Sequence, residues 1–259
     1  MNNLLIPKYK LQFFIFEKSG SRAIIDSLKK LFDFTQDNNV LTTEDFHDLE
    51  VQWPRGYTRV LIYRNVYKRL VSGWYTKINT ILEHRNKKNL HDGDWYDDNN
   101  LRPKTKDFEE HRVCFQNFCK EFFVYNEYNP YTDISVFPRV DAHLQNLQVQ
   151  IGKEYQDKID YKVNLENLID EIELIMTKVG ISKTDSSKFI ESLKVEKQIM
   201  KEQKSKMIEK NKYDLVKEYR ATRMTDDYYS YYNKISDDTL KLVNEYYNGD
   251  FDYLRMKRL

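Results

Sequence analysis

Apolar residues along the chain follow two periods. Leu11 to Phe16 (LQFFIF) is a short continuous apolar run fit for a buried strand, and Ser21 to Phe34 places Ile24, Ile25, Leu28, Leu31 and Phe32 at helical spacing. Glu17, Lys18, Ser19 and Gly20 form the loop between them. The pattern repeats from Arg59 to Tyr63 (RVLIY), through Arg64 and Asn65, into a helix from about Tyr67 to Leu82. Ile159 to Val163 reads as a further strand, and Leu165 to Val179 as an amphipathic helix stopped by Gly180. Strands alternating with helices predict an α/β fold built on a parallel sheet flanked by helices.

Between these units the periodicity changes. From Glu83 to Lys106 it disappears while Asn, Asp, Gly and Pro accumulate, the composition of a long surface loop, and residues 83–106 are therefore a candidate substrate loop. Asp107 to Phe123 returns to helical spacing. Asp185 to about Tyr219 is long, charged and helical, which predicts a solvated hairpin or arm and a long helical C-terminal part. No repeat, low-complexity tract or linker is recognisable, so residues 1–259 are expected to form a single domain with 182–222 as a helical insertion.

Composition narrows the function classes. Lys plus Arg number 42 and Asp plus Glu 41, a net charge of +1, so no global field points to nucleic acid or to a membrane surface, and any anion site is local. Mean hydropathy is low at -0.78, but 14 Phe, 3 Trp and 20 Tyr supply the material of a core and argue against disorder. Plentiful Lys, Asn, Tyr and Ile with scarce Ala look like coding bias, so the tyrosine excess is not read as a base-stacking surface. Glycine occurs only 7 times, which gives Gly20 weight as a position where backbone geometry demands it. Two cysteines, Cys114 and Cys119, are too few for a disulfide scaffold or a four-cysteine zinc site. The short apolar run near the N-terminus lacks the form of a signal peptide or anchor, so a soluble, cytoplasmic protein without a membrane span is expected.

Lys18-Ser19-Gly20-Ser21 lies where a strand hands over to a helix, and the free N–H groups of a helix start point beyond the strand end toward a bound anion. It is not a Walker A loop, because GxxxxGK[ST] puts lysine after its last glycine and here Lys18 precedes Gly20. An ordinary turn with serine as helix cap is the competing account. In the second unit Arg64 stands at the strand end and Ser72 lies within the following helix, where both can address one anion; a merely solvated basic helix is the alternative.

These two segments resemble the PAPS-dependent sulfotransferases, particularly their carbohydrate sulfotransferase branch. The family's loop for the 5′-phosphosulfate runs from a strand through Lys-x-Gly-x-[ST] into a helix, and FFIFEKSGSRAIIDSL is similar to it. Its 3′-phosphate motif, Arg-[DN]-Pro-x-x-Arg-x-x-Ser-x-[YW], is matched by VLIYRNVYKRLVSGWY at Arg64, Asn65, Arg69, Ser72 and Trp74, with Val66 in place of Pro. DAHLQNLQ (Asp141 to Gln148) is similar to the family's Asp-x-His segment, and ISDDTLKLVNEYYNGDFDYL to its closing helix. Arg22 replaces the usual Thr or Ser, and Glu17 before Lys18 is a second departure.

The resemblance implies a P-loop-like sheet and transfer of a sulfuryl group from PAPS to an acceptor hydroxyl, expected on a glycan, leaving PAP and needing no metal. It implies that Lys18, Ser19, Gly20, Ser21 and Arg22 bind the phosphosulfate, with Lys18 also catalytic, and that Arg64 and Ser72 hold the 3′-phosphate. A general base is needed for the acceptor hydroxyl, and LTTEDFHDLE offers His47 first and Glu44 second; a helix-capping stretch is the competing account of this segment. His143 reads as structural, and His84, His91 and His111 as solvated. Two other classes stay open: a P-loop-like nucleotide kinase, disfavoured by the absent GxxxxGK[ST], and a non-enzymatic nucleic-acid-binding module gripping through the 192–223 segment, disfavoured because Glu is interleaved with its Lys.

Overall fold

The computed structural model describes residues 2–16, 19–32, 53–75, 115–116, 118–120, 144–209 and 227–259. The chain divides into two compact units, Met1–Asn65 with Leu147–Glu209, and Val66–Asn146 with Lys210–Leu259. Its strands are β1 (Asn2–Ile6), β2 (Leu11–Ile15), β3 (Thr58–Tyr63) and β4 (Tyr161–Asn164). Its helices are α1 (Ser21–Phe32), α2 (66–75), α3 (Leu147–Ile151), α4 (Lys153–Gln156), α5 (Leu168–Lys178), α6 (Lys183–Glu209), α7 (Asp237–Tyr246) and α8 (Asn248–Leu254).

The first unit is an α/β layer structure. Its sheet has the order β1-β2-β3-β4, with β2, β3 and β4 parallel and β1 antiparallel to β2. One face sends Leu4, Leu11, Phe13, Ile15, Val60, Ile62 and Val163 into a core closed by Ala23, Ile24 and Leu28 of α1, Leu168, Ile172 and Met176 of α5, and Phe189, Ile190 and Leu193 of α6. On β2, Phe14 is buried too and stacks on Trp53 at 4.6 Å between ring centroids, and Trp53 in turn stacks on Tyr155 at 4.5 Å. β2 is buried at every position, which is why LQFFIF reads as a continuous apolar run and not as an alternation. Gln12, the polar member of that run, donates its amide N–H to Asn3 Oδ1 at 2.9 Å.

Local chemistry fixes the ends of the helices. Gly180, at φ +83°, terminates α5: its N–H bonds the Thr177 carbonyl at 3.1 Å and the Ile181 N–H bonds that of Met176 at 2.9 Å, with Ile181 and Met176 buried together in the core. The Ser182 hydroxyl accepts the Asp185 N–H at 3.1 Å and so caps α6. Sequence periodicity predicts an arm for α6, but Ser186, Phe189, Ile190 and Leu193 make its first half part of the core, and Lys30 of α1 is ion-paired with Glu196 of α6.

The second unit is built from aromatic residues. Trp74 of α2 meets Phe115 and Tyr231 edge to face at 5.2 and 5.4 Å, and Tyr67 of α2 meets Tyr232 at 4.9 Å. Tyr232 donates its hydroxyl to the Tyr67 carbonyl at 2.9 Å, and Tyr247 donates to the Leu144 carbonyl. Burial pushes the phenols of Tyr232 and Tyr247 well above their ordinary pKa. These described tyrosines are core, in keeping with the compositional reading.

Three local expectations are corrected. The strand expected at 159–163 is formed by Tyr161–Asn164, because Ile159 is buried without being part of the ladder. The helix expected from Leu165 begins as a 3-10 turn at Leu165–Asn167 before α5. The single closing helix is two, α7 and α8, with Tyr247 between them. Among the described residues no helix is long and apolar enough to cross a membrane.

Candidate functional site

The carboxyl ends of β2, β3 and β4 share one edge of the first unit, because their parallel pairing aligns Ile15 with Ile62 and Tyr63 with Asn164. Ligands of open parallel sheets bind at this edge. Beyond β2, Phe16 extends the ladder by donating its N–H to the Ile62 carbonyl at 3.2 Å, and the Ser19 N–H closes back on the Phe16 carbonyl at 3.1 Å. Gly20 then takes φ +74°, and α1 starts at Ser21. A Cβ on Gly20 would stand 2.9 Å from Leu165 Cδ1, the end of a movable side chain just past β4, so the left-handed backbone is the stricter reason for glycine at this turn.

The first intrahelical bond of α1 runs from the Ile24 N–H to the Gly20 carbonyl at 3.2 Å. The Ser21, Arg22 and Ala23 N–H groups precede it and form the positive end of the helix. The Ser19 N–H is engaged internally, which removes it from the expected backbone cradle. Its side chain is another matter: Ser19 is 0% exposed, and its hydroxyl has no hydrogen-bond partner among the described residues. An unmatched buried hydroxyl costs about 1–3 kcal/mol, a cost that a ligand oxygen would remove. Ser21 is half-buried and Arg22 exposed.

Arg64 follows β3 directly. Its Nε lies 3.6 Å from Glu166 Oε1, with the Arg64 side chain 11% and the Glu166 side chain 31% exposed. Glu166 is pinned by Asn164, whose Oδ1 accepts the Glu166 N–H at 3.0 Å. Burial, reinforced by Glu171 and then Glu166, raises the Tyr63 phenol above its ordinary range. Lys197 of α6 is exposed as a residue, yet desolvation lowers its ammonium pKa while Glu166 opposes the change. At this edge Arg64 faces Glu166, and Leu165 lies against Gly20.

No family model, curated protein or solved structure matches this chain.

The structure brings Ser19, Gly20, Ser21, Arg22 and Arg64 to one sheet edge. Ser72 belongs to α2 in the second unit and is 5% exposed. Arg69, its neighbour in the motif, is a core residue of that unit: it donates to the Gln145 carbonyl at 2.7 Å, lies 3.5 Å from Asp250 Oδ2, and sits over the Tyr247 ring. Lys18, Glu44 and His47 lie outside the described residues, as does the 83–106 loop. Nothing in the sequence pattern points to Leu165, Glu166 or Lys197. Only the β3–β4 pairing brings Glu166 to Arg64, and no local pattern signals it. An open groove in the second unit, lined by Leu240, Lys241, Asn244, Asn248 and Arg258, offers little free charge, because Arg258 bonds Asn248 and pairs with Asp252. Among the described residues no group of His, Cys, Asp and Glu is arranged to hold a metal ion.

Proposed function

We propose that the protein is a PAPS-dependent sulfotransferase with a P-loop-like sheet, moving a sulfuryl group from PAPS to an acceptor hydroxyl, on a glycan by the resemblance. The observation that carries this reading is the turn from Ser19 to Ser21: a left-handed Gly20 closed against Leu165, a buried Ser19 hydroxyl without a partner among the described residues, and the open first turn of α1. All three suit an oxyanion. Arg64, at the end of the adjacent parallel strand, supplies the second cationic position that a nucleotide with a 3′-phosphate requires.

In this reading the acceptor oxygen forms its bond to sulfur as the bond from sulfur to the 5′-phosphate oxygen breaks, and the chain contributes positioning and charge. The α1 N–H groups and the Ser19 hydroxyl hold the phosphosulfate, and Lys18 neutralises the leaving oxygen. Arg64 engages the 3′-phosphate. The hydroxyl proton passes to His47, or to Glu44 in its place. The product left in the site is PAP.

A thermal-shift series tests this reading. PAP at about 100 times its dissociation constant stabilises the protein by about 2.7 kcal/mol without added metal, a rise of several degrees. AMP, lacking the 3′-phosphate, does far less. Equal shifts with the two nucleotides, or a shift that needs magnesium, would remove the sulfotransferase reading in favour of a kinase-like site.

A further inference from the structure

Arg64 is not an empty cation. It has a carboxylate beside it, Glu166, held at 3.6 Å by a backbone that Asn164 pins from the end of β4. Glu166 also lies within the field of a second cation. On α6, Lys197 falls one turn after Leu193 and two turns after Ile190, both core residues, so it lies on the side of the helix that carries the core stripe, at the exposed end of that stripe. Glu166 is the charged group that acts on the Lys197 ammonium. Glu166 is thus paired with Arg64 by geometry, and Lys197, on a different element, is a second cation in its field beyond ion-pair distance.

We propose that Glu166 is a resident counter-anion of the Arg64 site, a carboxylate that the phosphate of an incoming ligand displaces from Arg64. This rests on reading the sheet edge as an anion site, and it narrows the ligand to one with a multiply charged phosphate group. A singly charged anion gains no more at Arg64 than the carboxylate already gives, whereas a phosphate dianion brings more charge and the geometry for two parallel bonds to a guanidinium. Lys197 lowers the cost of displacement because the released carboxylate stays near a positive charge. The arrangement pairs Arg64 until ligand arrives and gives the middle of α6 a part in binding beyond its packing.

Isothermal titration with inorganic pyrophosphate and with PAP, on the full chain, tests the proposal. Glu166→Gln keeps the size of a half-exposed side chain and removes its charge. It is expected to tighten both ligands by about fivefold, the scale of a partly exposed ion pair. Lys197→Gln is expected to weaken both by about twofold. Glu191→Gln, an exposed position elsewhere on α6 with the same change in net charge, serves as control and is expected to leave both affinities unchanged. If Glu166→Gln weakens the ligands or leaves them unchanged, Glu166 positions Arg64 or is idle, and the proposal falls. It falls equally if Glu191→Gln gains as much, or if neither ligand binds any of these proteins. Should Glu166→Gln tighten pyrophosphate while the unaltered protein shows no preference for PAP over AMP, the counter-anion stands and the sulfotransferase reading fails.

Discussion

Arg64 and Arg69 are close in sequence and meet opposite fates. Arg64 ends a strand of the first unit and faces a half-exposed carboxylate at 3.6 Å; Arg69 is sealed in the second unit, where Asp250, the Gln145 carbonyl and the Tyr247 ring surround it. The serines divide in the same way. Ser19 is buried with a hydroxyl that lacks a partner among the described residues, whereas Ser72 is buried in a helix whose neighbours Val71 and Trp74 are aromatic-core residues. A motif of basic and hydroxyl residues thus mixes two physical roles. Residues at a sheet edge can answer a ligand, and residues one or two helical turns later hold up the helix that follows.

Breaking the buried pair gives the largest effect. Asp250→Asn leaves Arg69 with its charge and without its carboxylate, and unfolding in urea is expected to show a loss of about 3–5 kcal/mol. Loss of less than about 1 kcal/mol would mean that Arg69 is as well solvated as Arg64. Alkali probes the same unit. Tyr232 and Tyr247 are held above the ordinary range by burial, and burial pushes Tyr246 up to about 12 despite the nearby Arg69. Unfolded tyrosines lose their protons from about pH 10, so the unfolded state binds fewer protons there. Stability is therefore complete below about pH 10 and falls above it, by roughly 1.4 kcal/mol per buried tyrosine at pH 11. A urea midpoint unchanged between pH 9 and 11 would contradict the aromatic core as described. Smallest in stability is Gly20→Ala, which places a methyl in a left-handed backbone against a movable Leu165 side chain, at about 1 kcal/mol. Its effect on pyrophosphate binding is expected to exceed its effect on stability, which separates a site residue from a core residue.

The two strand-to-helix units are legible in the sequence because their periods are strong: β2 and α1 lie within the limits that Leu11 to Phe16 and Ser21 to Phe34 predict, and Val66 begins α2 as a residue in the proline position of the motif can. β1 is not legible. Its apolar stretch is only Leu4 to Ile6, and the turn that follows uses Pro7 and a left-handed Lys10 where glycine or asparagine would have signalled a hairpin. Scarcity singles out Gly20, and its φ of +74° bears that out. Glu166 could not be found in this way, since it reaches Arg64 only through the pairing of two strands far apart in the chain. The charged surface of α6 hides its core stripe in the same manner, because Phe189, Ile190 and Leu193 are diluted among lysines and glutamates.

The central claim is that the edge of the first unit binds a nucleotide through a 3′-phosphate at Arg64. Titration of PAP and AMP against the unaltered protein and against Arg64→Met tests it directly. A charge-assisted bond of about 1.5–3 kcal/mol predicts that the unaltered protein prefers PAP by about tenfold or more and that Arg64→Met erases this preference while AMP binding changes little. Equal affinities for PAP and AMP in the unaltered protein, or a preference that survives in Arg64→Met, would contradict it.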